Sequence, residues 1–243
     1  MLEPYEGKLS STVLRGGERR EAPWPTRAGD MTNSRQEGSS MTGQQQESAK
    51  ASELKSLIES AVLAPSSHNT QPWCFALSGD TISLRADRSR ALPANDPEDR
   101  ELTISCGCAL MNLRIAASHA RKAYSVEVVP DPEDEDLLAL VRTGTDGDVR
   151  TEEASLFAEI PQRRTYRKRF GPQTISDETL SQLSEAAQEE NAWFEFVTTA
   201  ENRALVADLV TKGDAVQWAN PRWRKNPCNR SRGDPSRIVH VTE

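Results

Sequence analysis

Aromatic side chains are scarce, 5% of the 243 residues, and the hydrophobic share is only 36%. A chain this poor in apolar groups cannot bury a core along its whole length, so part of it is expected to stay outside one. Long apolar runs are missing too, and the N-terminus lacks the apolar centre of a secretory leader. Both absences argue against a membrane span and make the cytoplasm the expected location. Cys74, Cys106, Cys108 and Cys228 offer neither a disulfide framework nor a C-x-x-C pair. Cys106-Gly107-Cys108 reads as small residues in a packed helix, because no second cluster stands ready to complete a metal site. Glycine is absent from the polar segment APSSHNTQPWCF at 64–75, which excludes a phosphate-cradling loop there.

Charge is unevenly spread. Residues 51–219 hold 17 basic and 28 acidic side chains, while 220–243 hold 6 basic and 2 acidic. An acidic middle does not suit a general nucleic-acid surface, since phosphate contacts need a basic face. The run RRTYRKRF at 163–170 is the exception, with five basic residues in eight. A basic run of this length is more often a solvated face than a binding patch.

The ends and the middle differ in composition. Residues 1–50 are rich in Gly, Ser, Gln, Arg and Glu without an apolar period and read as a disordered extension, with Met31 or Met41 as alternative starts. From Ala51, the residues Leu54, Leu57, Ile58, Ala61 and Val62 follow the spacing of an amphipathic helix that ends before Pro65. CFALSGDTISLRAD alternates about Ser78-Gly79-Asp80 and predicts a hairpin. Asp96-Pro97 predicts the capped start of a mostly buried helix over about 97–121. A strand over 124–129 and a second Asp-Pro-capped helix, from Asp131 to about Arg142, are expected next. Residues 143–150 form a polar loop that suggests a boundary. Beyond it the pattern predicts helices near 151–160, after Ser176 and around Leu205–Val210, with a strand AWFEFVTT at 192–199. A helix followed by an aromatic-led strand thus occurs twice. The ending NPCNRSRGDPSRIVHVTE has no period and reads as a disordered or frameshifted tail over 226–243.

Pro65-Ser66-Ser67-His68-Asn69-Thr70-Gln71-Pro72-Trp73 resembles the P-S-x-x-N-x-Q-P-W motif of the FMN-dependent nitroreductase family, and Arg163-Arg164-Thr165-Tyr166-Arg167 resembles its R-R-[ST]-x-R motif. The order, with the arginine motif about 100 residues after the other, is similar to the Acg-like branch, in which two halves are fused into a pseudo-dimer. The resemblance implies an α+β fold with a mixed sheet flanked by helices. It implies a first half over 51–150 and an incomplete second half over 151–225, monomeric if intact. It also implies an NAD(P)H-dependent oxidoreductase whose FMN passes hydride through N5 to a nitro or quinone acceptor, so no catalytic side chain is named. The implied cofactor-binding residues are Ser66, Ser67, Asn69, Gln71, Arg163, Arg164, Thr165 and Arg167, with no metal. Guanidinium groups suit a phosphate dianion, and side-chain amides can match both a donor and an acceptor on a flavin edge. The implied partner is a small-molecule electron acceptor rather than nucleic acid or membrane. A flavin-binding protein without turnover is the alternative. His68 occupies a variable position of the motif and is expected to serve the loop.

Overall fold

The computed structural model describes residues 43–144, 150–166, 168–224 and 239–241. The expected extension before residue 43, the centre of the boundary loop at 145–149, Arg167, and most of the expected tail lie outside the described residues. Helix α1 spans Gly43–Ala61, starting eight residues before the apolar pattern does. Strands β1 (Trp73–Ser78) and β2 (Thr81–Ala86) form the expected hairpin, in register from Trp73 opposite Ala86 to Ser78 opposite Thr81. Gly79 takes the left-handed conformation, φ 59°, that a two-residue turn asks of it.

Helix α2 spans Arg100–His119 and begins later than Asp96-Pro97 suggests. Asp96 still caps it: buried, its two carboxylate oxygens accept from the Arg100 and Leu102 amides, each at 2.9 Å. Strand β3 follows at Ala123–Val128.

The expected helix from Asp131 to Arg142 is not formed. In its place an acidic turn leads into strand β4, Leu137–Gly144. The Asp131 side chain accepts from the Glu133 amide at 3.0 Å, and the Asp131 carbonyl accepts from Asp134 at 3.1 Å. The acids close this turn instead of opening a helix. Beyond it Ala139, Val141 and Thr143 are buried on alternate positions, and β4 pairs antiparallel with both β2 and β3. Period-2 burial and two partners outweigh the helix-start signal.

The sheet order is β3-β4-β2-β1-β5, where β5 (Val239–Val241) runs parallel to β1 and makes the sheet mixed. These three residues fall within the expected tail, so a strand replaces irregular chain at that point. Helices α1 and α2 pack on one face of the sheet. Leu54, Leu57, Ile58 and Ala61 of α1 and Leu102, Cys106, Ala109, Leu113 and Ala116 of α2 meet Trp73, Phe75, Leu77, Ile82, Leu84 and Val141. The architecture is α+β.

The chain after residue 150 is packed differently. Helix α3 (Thr151–Ser155) and a 3-10 turn at Leu156–Glu159 dock on α2, where Phe157 stacks on His119 at 3.9 Å between ring centroids. Helices α4 (Asp177–Glu189), α5 (Ala200–Ala219) and α6 (Pro221–Arg224) follow, and α4 and α5 bury no residue. The expected strand at 192–199 is not formed. Trp193 is 85% exposed, and no neighbouring strand among the described residues offers its segment a hydrogen-bonding edge. Aromatic β-propensity alone does not make a strand without a partner to pair with.

One polar network ties α3 and α4 to the first half. Arg114 of α2 lies 2.5 Å from Glu153 and 2.9 Å from Glu190, and the Glu153 carboxylate also accepts from Ser118 at 3.0 Å and from the Tyr124 hydroxyl. Burial pushes the Glu153 carboxyl up, but the Tyr124 and Arg114 hydrogen bonds, the Arg114 charge and Ser118 together hold it below the usual carboxylate range.

Two outcomes are expected. Phe75 is fully buried, so Phe75→Ala should lower unfolding stability by about 3–5 kcal/mol, while Trp193→Ala should stay within about 0.5 kcal/mol in chemical denaturation. A folded-state pKa below the unfolded one means that Glu153 contributes fully above the ordinary carboxylate pKa of about 4.3 and loses that contribution as pH falls through its folded value. Thermal melts between pH 7 and pH 3 should therefore show a shallower acid slope in Glu153→Gln than in the parent chain.

Candidate flavin site

Between α1 and β1 the chain makes a tight polar loop. The 3-10 turn Ser67–Asn69 follows Ser66, which is extended (φ −143°, ψ 155°). His68, Asn69 and Gln71 then adopt positive φ of 51°, 57° and 51°. Three left-handed residues in four positions, none of them glycine, store roughly 1–2 kcal/mol each. Bonds within the loop curl it: Ser66 Oγ accepts from the Gln71 amide at 2.9 Å, and the Thr70 hydroxyl donates to the Ser67 carbonyl at 3.0 Å. His68 Nε2 meets Asn95 Nδ2 at 2.9 Å, so this histidine serves the loop. Trp73 closes the segment with its indole buried and its N–H without an acceptor among the described residues.

Of the expected first-motif residues, Ser66 is half-buried and engaged inside the loop, while Ser67 faces α2. The Ser67 amide donates to Ser105 Oγ at 3.2 Å and its hydroxyl donates to the Glu101 carboxylate. Asn69 is exposed and Gln71 half-buried, and neither side-chain amide has a hydrogen-bond partner among the described residues. Those two amides are the groups left available to an incoming molecule.

The second motif follows Ile160, which is buried, and its described residues are exposed. The Arg163 amide donates to the Glu159 carbonyl at 2.9 Å. Its charge also bears on Cys108 of α2: burial pushes the Cys108 pKa up, and the Arg163 charge opposes the rise. Arg164 folds back on its own segment, donating to the Pro161 carbonyl at 2.7 Å and to the Arg163 carbonyl at 2.9 Å. Thr165 is exposed, and Arg167 lies outside the described residues. Helix α2 therefore bears on both motifs, the first through the Ser105 bond and the second through the Arg163 charge felt at Cys108, three residues further on. Gly107 is exposed, and a Cβ built there meets nothing within 4 Å.

Sequence reasoning missed the part played by α2. Ser105, Glu101 and Arg90, whose guanidinium reaches the Thr70 and Gln71 carbonyls, had no motif to mark them. The one signal was Cys106-Gly107-Cys108. Its small residues do open a packed helix: Cys106 is fully buried, its thiol donates to the Pro72 carbonyl at 3.2 Å, and burial, then Asp87 and Cys108, push its pKa up to about 12.

No family model matches the chain. Curated relatives do. The chain is 37% identical over 131 residues to the "Putative NAD(P)H nitroreductase acg" of Mycobacterium tuberculosis H37Rv, covering 54% of this chain and 39% of that protein. It is 30% identical over 162 residues to "Putative NAD(P)H nitroreductase Rv3131" of the same organism, covering 66% and 46%. It is also 30% identical over 191 residues to "Uncharacterized protein Rv3127", covering 75% and 56%. A solved nitroreductase family protein from Streptococcus pneumoniae TIGR4 superposes with a TM-score of 0.32 at 20% identity, over 49% of this chain and 85% of that one.

These named relatives, the acg protein among them, support the nitroreductase family and its Acg-like branch. The chain spans about half the length of the curated relatives it matches. No helix among the described residues is long and apolar enough to cross a membrane.

The influence of the Arg163 charge on α2 is open to a direct check. Arg163→Ala should slow alkylation of Cys108 several-fold at fixed pH and leave Cys74 unchanged, because it removes the charge that favours the Cys108 thiolate. Cys106 should stay unlabelled until denaturant is added. An unchanged Cys108 rate in peptide-resolved mass spectrometry would detach Arg163 from α2.

Proposed function

We propose that the 66–71 loop and the 163–167 segment are two walls of one FMN site, and that the protein is an NAD(P)H-dependent oxidoreductase of the nitroreductase kind. The observation that carries this reading is that both motifs bear on α2, Ser67 through its bond to Ser105 and Arg163 through its charge on the Cys108 thiol. The donor set fits the cofactor. Asn69 and Gln71 offer unpaired amides to the pyrimidine edge of a flavin, which both donates and accepts hydrogen bonds. Arg163, Arg164 and Arg167 with Thr165 would hold the phosphate, where paired guanidinium contacts are strong. Ser66 keeps its hydroxyl proton for a ribityl or phosphate oxygen, since in the loop it acts only as an acceptor.

Bound FMN would supply the hydride relay from NAD(P)H to a nitro compound or quinone. The chain's own residues bind, orient and limit access. Arg164, now on the Pro161 and Arg163 carbonyls, has to turn outward to reach a phosphate. The reading takes the chain as a first half over 51–150 and part of a second over 151–225, acting on a small-molecule acceptor in the cytoplasm as a monomeric pseudo-dimer. One observation favours the second reading, an FMN binder without turnover: α4 and α5, next to the arginine wall in sequence, bury no residue and give that wall little support.

The test is the visible spectrum of the purified protein after FMN is added and free ligand removed. A retained flavin band is expected. Asn69→Ala should weaken FMN and riboflavin alike. Arg163→Ala combined with Arg164→Ala should weaken FMN by about 10²–10⁴-fold and riboflavin little, since riboflavin has no phosphate. Equal losses for the two ligands in the arginine variant would overturn the phosphate assignment. Bleaching of the bound band by NAD(P)H would favour the enzyme over the binder.

A further inference from the structure

Three left-handed residues do not hold themselves in place, so the loop at 66–71 needs fixed points outside it. Its internal bonds, among them Gln71 N–H to Ser66 Oγ and the Thr70 hydroxyl to the Ser67 carbonyl, would survive if the whole loop swung away from the body. Four contacts prevent that swing. Two join exposed groups, His68 with Asn95 and the Ser67 hydroxyl with Glu101. The other two act on the backbone itself. Ser105, 3% exposed on α2, accepts from the Ser67 amide at 3.2 Å and donates its own proton to the Glu101 carbonyl at 2.7 Å. Its hydroxyl is thereby oriented with a lone pair toward the loop. Arg90 approaches from the other side: Nη1 donates to the Thr70 carbonyl at 3.3 Å and the Gln71 carbonyl at 3.2 Å, while Nε is held by Asp87 at 3.0 Å.

We propose that Ser105 and Arg90 are positioning residues that grip the backbone of this loop at its two ends and so present the free Asn69 and Gln71 amides. The two grips bracket the strained stretch, one at Ser67 and one at Thr70–Gln71. Arginine suits its position because one planar group meets Asp87 and two carbonyls together, which a lysine ammonium on a flexible stem cannot match. Neither residue needs to touch a ligand. What the amides bind rests on the flavin reading above; that the grips set the loop does not.

The experiment compares the whole chain with Ser105→Ala, Ser105→Thr and Arg90→Lys by site-resolved amide hydrogen exchange, and then by titration with FMN and with riboflavin. In Ser105→Ala the Ser67 amide should exchange about 3–10-fold faster, with no change along α2 or β1, and Ser105→Thr, which keeps the hydroxyl, should restore it. Arg90→Lys should speed exchange at 69–71. Both Ser105→Ala and Arg90→Lys should raise the dissociation constants of FMN and riboflavin by one common factor, about 3–10-fold, because the loop and not the phosphate is disturbed. Unchanged exchange at Ser67 in Ser105→Ala overturns the proposal, as does a loss confined to FMN. If the parent chain binds no flavin, the flavin reading fails and the exchange result still decides whether these two residues set the loop.

Discussion

Burial of one side of α2 is the constraint on which the other arrangements rest. Leu102, Cys106, Ala109, Leu113 and Ala116 recur every three or four residues and press into the sheet, and four of the five are less than 3% exposed. Small side chains at 106, 109 and 116 let the helix axis come close to β1 and β2, with α1 packed alongside. A helix seated by so regular a stripe has no freedom to rotate. Its remaining residues must then point where the 100° step sends them: Glu101 and Ser105 to the loop after α1, Arg114 and Ser118 to α3. The polar chemistry of the chain is distributed by an apolar fit.

Electrostatics follows the same geometry. The acids that give residues 51–219 their surplus are not spread at random over the surface. Asp96 caps α2, Asp131 closes the turn into β4, and Asp87 steadies Arg90. Asp134 meets Arg85 at 2.9 Å, joining that acidic turn to β2. Exposed pairs of this kind contribute little individually, about 0–1 kcal/mol. The Arg114–Glu153 pair differs because both side chains are less than one-fifth exposed, so its carboxylate is held ionised by several donors at once.

The two parts of the chain contrast sharply. Residues 54–144 bury a continuous core, whereas Leu205, Val206, Leu209, Val210, Val216 and Trp218 of α5 all remain more than 40% exposed. Helices can still form there, because their hydrogen bonds close within four residues and their ends are capped, by Ser176 for α4 and Thr199 for α5. The segment between them, 192–199, needed a strand to pair with and found none among the described residues. Local order survives where packing is missing; sheet order does not.

The same division separates what was readable in the residues from what was not. The α1 stripe, the Ser78-Gly79-Asp80 turn, the caps at Asp96 and Ser176, and the two motifs of the site were all visible in sequence, since each depends on neighbours a few positions away. They determined the hairpin and the helices they mark, and they pointed to the family. Tertiary structure alone decided that 137–144 is a central strand, because that took β2 and β3 as partners on either side. It alone decided that 239–241 joins β1. It also divided the motif residues by role: Ser67 is held by α2, Arg164 is occupied by the Pro161 and Arg163 carbonyls, and the Asn69 and Gln71 side-chain amides have no partner among the described residues. A motif names side chains that can bind. Which of them has a hand free depends on Ser105, Glu101 and Arg90, 19 to 38 residues away along the chain and brought alongside only by folding.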